Sequence, residues 1–167
     1  MSTVQTVFRS QAFAEALALI GPGDGEFTFT HTKEGRRSKS SLKTIRTFEH
    51  NLDNATVLDA MAGAAVLARI TGDVSFTLRP YKTGWPWSSV RAFRSGSTIS
   101  LNTWKFKSAK VETDFDEFTS YCNTVAHELT HLLGFEHAAK SGWNPNSIPY
   151  VIGDIVEEIV RRSRRTH

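Results

Sequence analysis

The strongest constraint on this 167-residue chain is one run of residues, His127-Glu128-Leu129-Thr130-His131-Leu132-Leu133-Gly134-Phe135-Glu136-His137. It reads H-E-x-x-H-x-x-G-x-x-H. A helix expected from about Phe115 to Leu133 puts His127 and His131 one turn apart on the same face, where two imidazoles can bind one metal ion. Glu128 is rotated from His127 by roughly 100° about the helix axis. That is the place of a general base, which addresses a water and not the ion itself. His137 lies too far along to share that helix face, so the chain has to turn back. Gly134 can take the left-handed conformation that ends a helix, which brings His137 in as third ligand. Three neutral imidazoles leave the fourth tetrahedral position for water, the arrangement of a catalytic zinc site as opposed to a closed structural one. A water held there has a pKa near ~7, within reach of Glu128 as base at neutral pH.

The helix carrying these residues has its own signals. Asp114 stands as N-cap with Glu117 three positions on, the capping-box spacing, and Phe118, Tyr121, Cys122, Val125, Leu129 and Leu132 recur at helical period. Cys122 is the only cysteine, which excludes an intramolecular disulfide. Five positions before His127 it falls off the ligand face, and a buried apolar thiol is its expected state.

With 40% hydrophobic and 22% charged residues, the chain is expected to form a single domain over residues 1–167, with 1–50 an N-terminal extension or a first helix and strands. The net charge of +3, with acids and bases interspersed over most of the length, argues against a nucleic-acid binder. Residues 1–20 read as one amphipathic helix with Val4, Val7, Phe8, Ala12 and Leu19 inward. They lack the features of a secretion signal. No apolar run reaches the ~20 residues of a membrane span, so the default location is cytoplasmic, with export by another route left open.

Strands are expected over Glu26–Thr32 and Thr44–Phe48, with a polar basic loop between them. Asp53–Ile70 reads as a long helix, with Asp53 or Asn54 as N-cap, Gly72 as stop and Gly63 marking a close approach. Three strands follow, Val74–Leu78, Val90–Phe93 and Ser97–Phe106. Within the last, Thr98–Asn102 is either a sheet edge or an internal strand. Trp85 and Trp87 in Gly84-Trp85-Pro86-Trp87 are expected to plug an edge of the core in preference to lining a substrate pocket. Val151–Val160 reads as a final helix with Ile152, Ile155, Val156 and Ile159 inward, ending in a basic tail, Arg161–Arg165.

The full motif resembles that of the metzincin metallopeptidases. The resemblance implies a zincin-like α/β (α+β) fold: a twisted mixed sheet, a long backing helix, an active-site helix and a C-terminal helix, with one edge strand holding the substrate's backbone. It implies a zinc-dependent endopeptidase, with Zn2+ as cofactor and a peptide or protein as substrate; a monomer is expected. Metzincins also carry a Met-containing turn beneath the metal, and here the only methionines are Met1 and Met61. Ile148, Pro149 or Tyr150 stands where that turn would supply its apolar floor. The resemblance offers Tyr150 as a contact to the metal or to the transition-state oxyanion; a buried structural tyrosine is the other reading. Two further functions are consistent with the residues. One is a non-catalytic, zinc-stabilised binding protein with a fourth ligand such as His50 or Tyr150, and the other is a zinc hydrolase of a non-peptide amide.

Overall fold

The N-terminal segment forms two helices, α1 (Thr3–Phe8) and α2 (Gln11–Ala18), where one was expected. Ser10 is the cause. Its Oγ donates to the Val7 carbonyl at 2.7 Å and accepts from the Phe13 N–H at 3.2 Å, so one hydroxyl serves an end of each helix. Val4, Val7 and Phe8 are buried as expected, whereas Ala12 and Leu19 face solvent. The computed structural model describes residues 3–19, 27–29, 43–45, 48–52, 59–61, 63–70, 75–85, 87–137 and 147–165.

Strand β1 (Phe27–Phe29) pairs antiparallel with β2 (Lys43–Ile45), joining the two N-terminal stretches read as strands. β3 (Phe48–Leu52) pairs antiparallel with β4 (Asp59–Met61), Phe48 opposite Met61 and His50 opposite Asp59. This corrects the long backing helix. Residues 59–61 are extended, and helix α3 covers only Gly63–Ile70. Good helix formers gave way to a strand partner, because pairing across the chain outweighs a propensity of a few tenths of a kcal/mol per residue. The expected caps at Asp53, Asn54 and Gly72 lie outside the described residues.

β5 (Thr77–Tyr81), β6 (Ala92–Ser95) and β7 (Thr98–Asn102) form a mixed sheet in the order β5-β7-β6, with β5 parallel and β6 antiparallel to β7. β7 is therefore the central strand and not an edge. Its alternating faces carry buried Ile99 and Leu101 on one side and buried Ser100 and Asn102 on the other, as a strand covered on both sides requires. Trp85 and Trp87, in the connection from β5 to β6, are 71% and 80% exposed. They plug nothing.

A short helix α4 (Ser108–Thr113) leads into α5 (Phe115–Leu132), followed by β8 (Phe135–Glu136) and α6 (Ile148–Arg165). The fold is thus α+β, with a three-stranded mixed sheet and several helices. Its core lies where α5 meets α6: Cys122, Val125, Ala126 and Leu129 pack with Val151, Ile152, Ile155 and Val156, and α1 and α2 add Val4, Phe13 and Leu17. Burying each large aliphatic side chain there contributes about 1.5–3 kcal/mol. Helix α6 starts earlier and ends later than expected. Arg161 is no part of a loose tail, since it ties α6 to the start of α5 through Asp116 and to its own helix through Glu157 at 3.1 Å. Among the described residues no helix is long and apolar enough to cross a membrane.

The two helices come close together at Gly153. A Cβ there would stand 2.8 Å from Asn123 Oδ1 and 3.0 Å from the Asn123 carbonyl oxygen. The Asn123 side chain has little freedom to yield, because its Nδ2 donates to Asp154 at 3.0 Å and Glu157 at 2.9 Å. Gly153→Ala is therefore expected to destabilise the fold by about 1–3 kcal/mol, read as a lowered thermal midpoint in calorimetry.

Candidate metal centre

Local chemistry sets the helix that carries the first two histidines. Asp114, in extended conformation at φ −108° and ψ 113°, accepts from the N–H groups of Asp116 at 3.0 Å and Glu117 at 3.3 Å. The cap satisfies donors the helix leaves open and fixes where α5 starts. Thirteen residues on, His127 and His131 lie one turn apart on the helix, edge to face, with ring centroids 5.1 Å apart and 73° between planes. At the other end Gly134 has φ +88°, a left-handed conformation that a Cβ would strain, and its N–H donates to the His131 carbonyl at 3.1 Å. The chain reverses as the motif requires. β8 then pairs with β3, Leu52 opposite Phe135 and Asn51 opposite Glu136, and this anchor delivers His137 to the other two.

The ring nitrogens are sorted by their outer partners. His131 Nδ1 lies 2.6 Å from the Phe135 carbonyl oxygen. A carbonyl can only accept, so Nδ1 carries the proton and Nε2 presents its lone pair. His137 Nδ1 lies 3.1 Å from Ser147 Oγ, and its Nε2 faces the other two histidines. His137 Nε2 is 3.2 Å from His131 Nε2 and 3.2 Å from His127 Nε2. Burial holds the pKa of His131 below its usual value, and burial together with the charge of His131 takes His137 down to about 4. His131 and His137 are then neutral at neutral pH, and converging lone pairs repel unless a cation sits between them. The residues fit a tetrahedral zinc ion: ligand nitrogens at ~2.0–2.1 Å from the ion should lie about 3.3–3.4 Å apart. Among the described residues, these three histidines are the cluster that can hold a metal ion.

Around them stands a set of groups the motif only partly announces. Glu128 is 8% exposed. Burial raises its carboxyl pKa to about 7, with Arg94 pulling it down and Glu136 pushing it up. Arg94 on β6 binds Glu136 Oε1 at 2.9 Å, and Glu136 Oε2 approaches His131 Nδ1 at 3.5 Å. This pair orients His131 from behind, a role no spacing in the sequence points to. Tyr150 opens α6 with its ring stacked on His137 (centroids 4.8 Å apart, 26° between planes) and edge-on to His127 at 4.7 Å. Its phenol pKa is raised by burial and then by the charge of Glu128. Of the three residues expected to form the apolar floor, Tyr150 is the one in ring contact with His127 and His137, and Ile148 and Pro149 are buried beside it. His50 lies on β3; its side chain is outside the described residues.

Cys122 takes no part in the cluster. It is buried, and burial pushes its thiol pKa up to about 12. Only the thiolate is nucleophilic. Native protein at pH 8 is therefore expected to resist iodoacetamide, with the thiol becoming reactive only on unfolding; mass spectrometry of the intact chain reads the added label.

No family model matches the chain, and no curated protein or solved structure is significantly similar to it.

Proposed function

We propose that this chain is a zinc-dependent endopeptidase of metzincin type. The observation that carries the reading is the meeting of three imidazole groups beside one buried carboxyl group. His127, His131 and His137 would hold the ion, and zinc so held supplies Lewis acidity toward a scissile carbonyl and toward water. Glu128 is the proton carrier. A carboxyl whose pKa lies near 7 takes a proton from the attacking water and returns it to the leaving amine without a large penalty in either direction. Tyr150, kept protonated by burial and by the Glu128 charge, is assigned as hydrogen-bond donor to the oxygen that becomes negative as the carbonyl carbon turns tetrahedral.

The strand assigned to the substrate is β6 and not β7. It is an edge of the β5-β7-β6 sheet among the described residues, and from it Arg94 reaches Glu136 beside the histidines. An edge strand offers its free N–H and C=O groups to an extended peptide.

Incubation of the zinc-loaded chain with a diverse peptide library, read by mass spectrometry beside a chelator-treated sample, tests the reading. Cuts that appear only with zinc are expected, and their flanking residues would give the preference. Intact peptides in both samples, with one zinc per chain confirmed, would replace this reading by a zinc-stabilised binding protein or a hydrolase of non-peptide amides.

A further inference from the structure

Beyond Arg94 and β6, which serve the metal centre, the segment that carries them is unusual in charge. Residues 75–111 hold seven Lys and Arg and not one Asp or Glu, in a chain whose whole formal charge is only +3. Three of the four tryptophans fall within it. The structure gathers them at one end of the β5-β7-β6 sheet. Trp85 and Trp87 stand 71% and 80% exposed in the β5–β6 connection, and Trp104, in the turn after β7, is 40% exposed.

The rings are presented and not collapsed. Thr83 Oγ1 donates to the Trp85 carbonyl at 2.6 Å, and the Ser88 N–H reaches the same oxygen at 3.2 Å, which closes a turn around Trp85. Trp104 Nε1 donates to the Thr83 carbonyl at 3.2 Å, and the Lys82 ammonium lies 4.7 Å from the Trp104 ring centroid. Hydrogen bonds thus hold the two turns together and turn their apolar surface outward. Leaving such large rings in water costs free energy of the order recovered by burying them, and isolated exposed apolar residues are ordinary where a cluster is not.

We infer that this end of the sheet, with Trp85, Trp87 and Trp104 flanked by Lys82 and Lys105, is a docking surface for an anionic lipid bilayer, met from one side. Indole rings are amphipathic and settle at the depth of lipid headgroups. Lysines beside them face the negative surface potential of acidic lipids. The acid-free stretch removes the repulsion that carboxylates would meet there. Single-stranded nucleic acid shares the charge and the affinity for aromatic rings, but it calls for stacking platforms spaced along a groove. Here the indoles are bunched on two adjoining turns. The inference is independent of the proposed peptidase activity.

The test is co-sedimentation of the full chain with vesicles of phosphatidylcholine alone and of phosphatidylcholine mixed with phosphatidylglycerol, with tryptophan emission followed and oligo(dT) as competitor. The expected result is partitioning onto the acidic vesicles with a blue shift, and little onto the neutral ones. Trp85→Ser/Trp87→Ser should lower partitioning at least tenfold and reduce the shift. Lys82→Gln/Lys105→Gln should lower partitioning onto acidic vesicles by roughly 25-fold, at about fivefold per cation lost. Trp85, Trp87 and Lys82 are exposed and Lys105 is half-buried in a turn, and circular dichroism is expected to be unchanged. Equal partitioning onto both vesicles, none onto either, partitioning indifferent to both double variants, or displacement from vesicles by oligo(dT) would each overturn the inference.

Discussion

Glu128→Gln is expected to keep one metal ion per chain and to lower peptide hydrolysis by about 10²–10⁴-fold, the range a positioned general base contributes. Gln has nearly the shape of Glu and is not one of the three imidazoles that meet at 3.2 Å, so the ligand set stays intact. What it lacks is a site for a proton. The amide cannot accept one from water or return one to a leaving amine, and this separates the proton carrier from its surroundings. It also relieves a burdened position, since a carboxyl 8% exposed whose pKa has risen to about 7 is stabilising neither itself nor the fold. A small rise in the thermal midpoint is expected to accompany the loss of turnover. Metal content by atomic emission, the melting curve and kcat together check the prediction. Full activity in the variant would take the proton role away from Glu128.

His137→Ala is expected to cost more in metal affinity than any outer partner. Loss of an outer hydrogen-bond partner typically costs 10–100-fold, by estimate roughly what Ser147→Ala should show. Removing the imidazole itself deletes the one nitrogen that lies 3.2 Å from each of the other two. The two ligands remaining on α5 define only an edge of the tetrahedron. The Tyr150 ring, which stacks on His137 at 4.8 Å, loses its neighbour as well, and the gap opens the site to water. Zinc titration against a chromophoric chelator should find Ser147→Ala weakened and His137→Ala without tight binding. Both should keep wild-type far-ultraviolet circular dichroism, because the α5–α6 core lies apart from this contact. Equal affinities for His137→Ala and the wild type would remove His137 from the ligand set.

The site and the fold were legible in the sequence to different depths, and interaction range accounts for the difference. His127, His131 and Glu128 follow from the geometry of one helix. The Asp114 cap, the Gly134 reversal and the burial of Cys122 follow from chemistry within a few residues. Even the approach of His137 is nearly local, since only a positive φ at Gly134 is needed to start it. The Tyr150 position was marked by the family likeness, while its stacking on His137 was decided by where α6 begins. Arg94 and Glu136 are 42 positions apart, and nothing in their spacing announces that together they orient His131.

Pairing across the chain decided the rest. The β3–β8 ladder that steadies His137 joins Leu52 to Phe135. A two-residue strand such as β8 carries too little periodicity to be read in advance. Residues 59–61 became a strand because Phe48–His50 were there to pair with them, and β7 became central because β5 and β6 flank it on either side. Strand texture alone reports that a residue is extended and half covered, and is silent on which neighbour does the covering. The exposed tryptophans show the same limit from the other side. Composition gave a reason for such rings to seek a core, and only the tertiary structure, in which hydrogen bonds close the turn at Thr83 and Trp85, left them in solvent. The sequence by itself therefore determined which nitrogens can meet a metal, because one helix aligns His127 with His131 and Gly134 starts the reversal that the β3–β8 pairing completes for His137. Which surfaces are edges, which rings are covered and which charges stand behind the ligands were set only when distant segments came together.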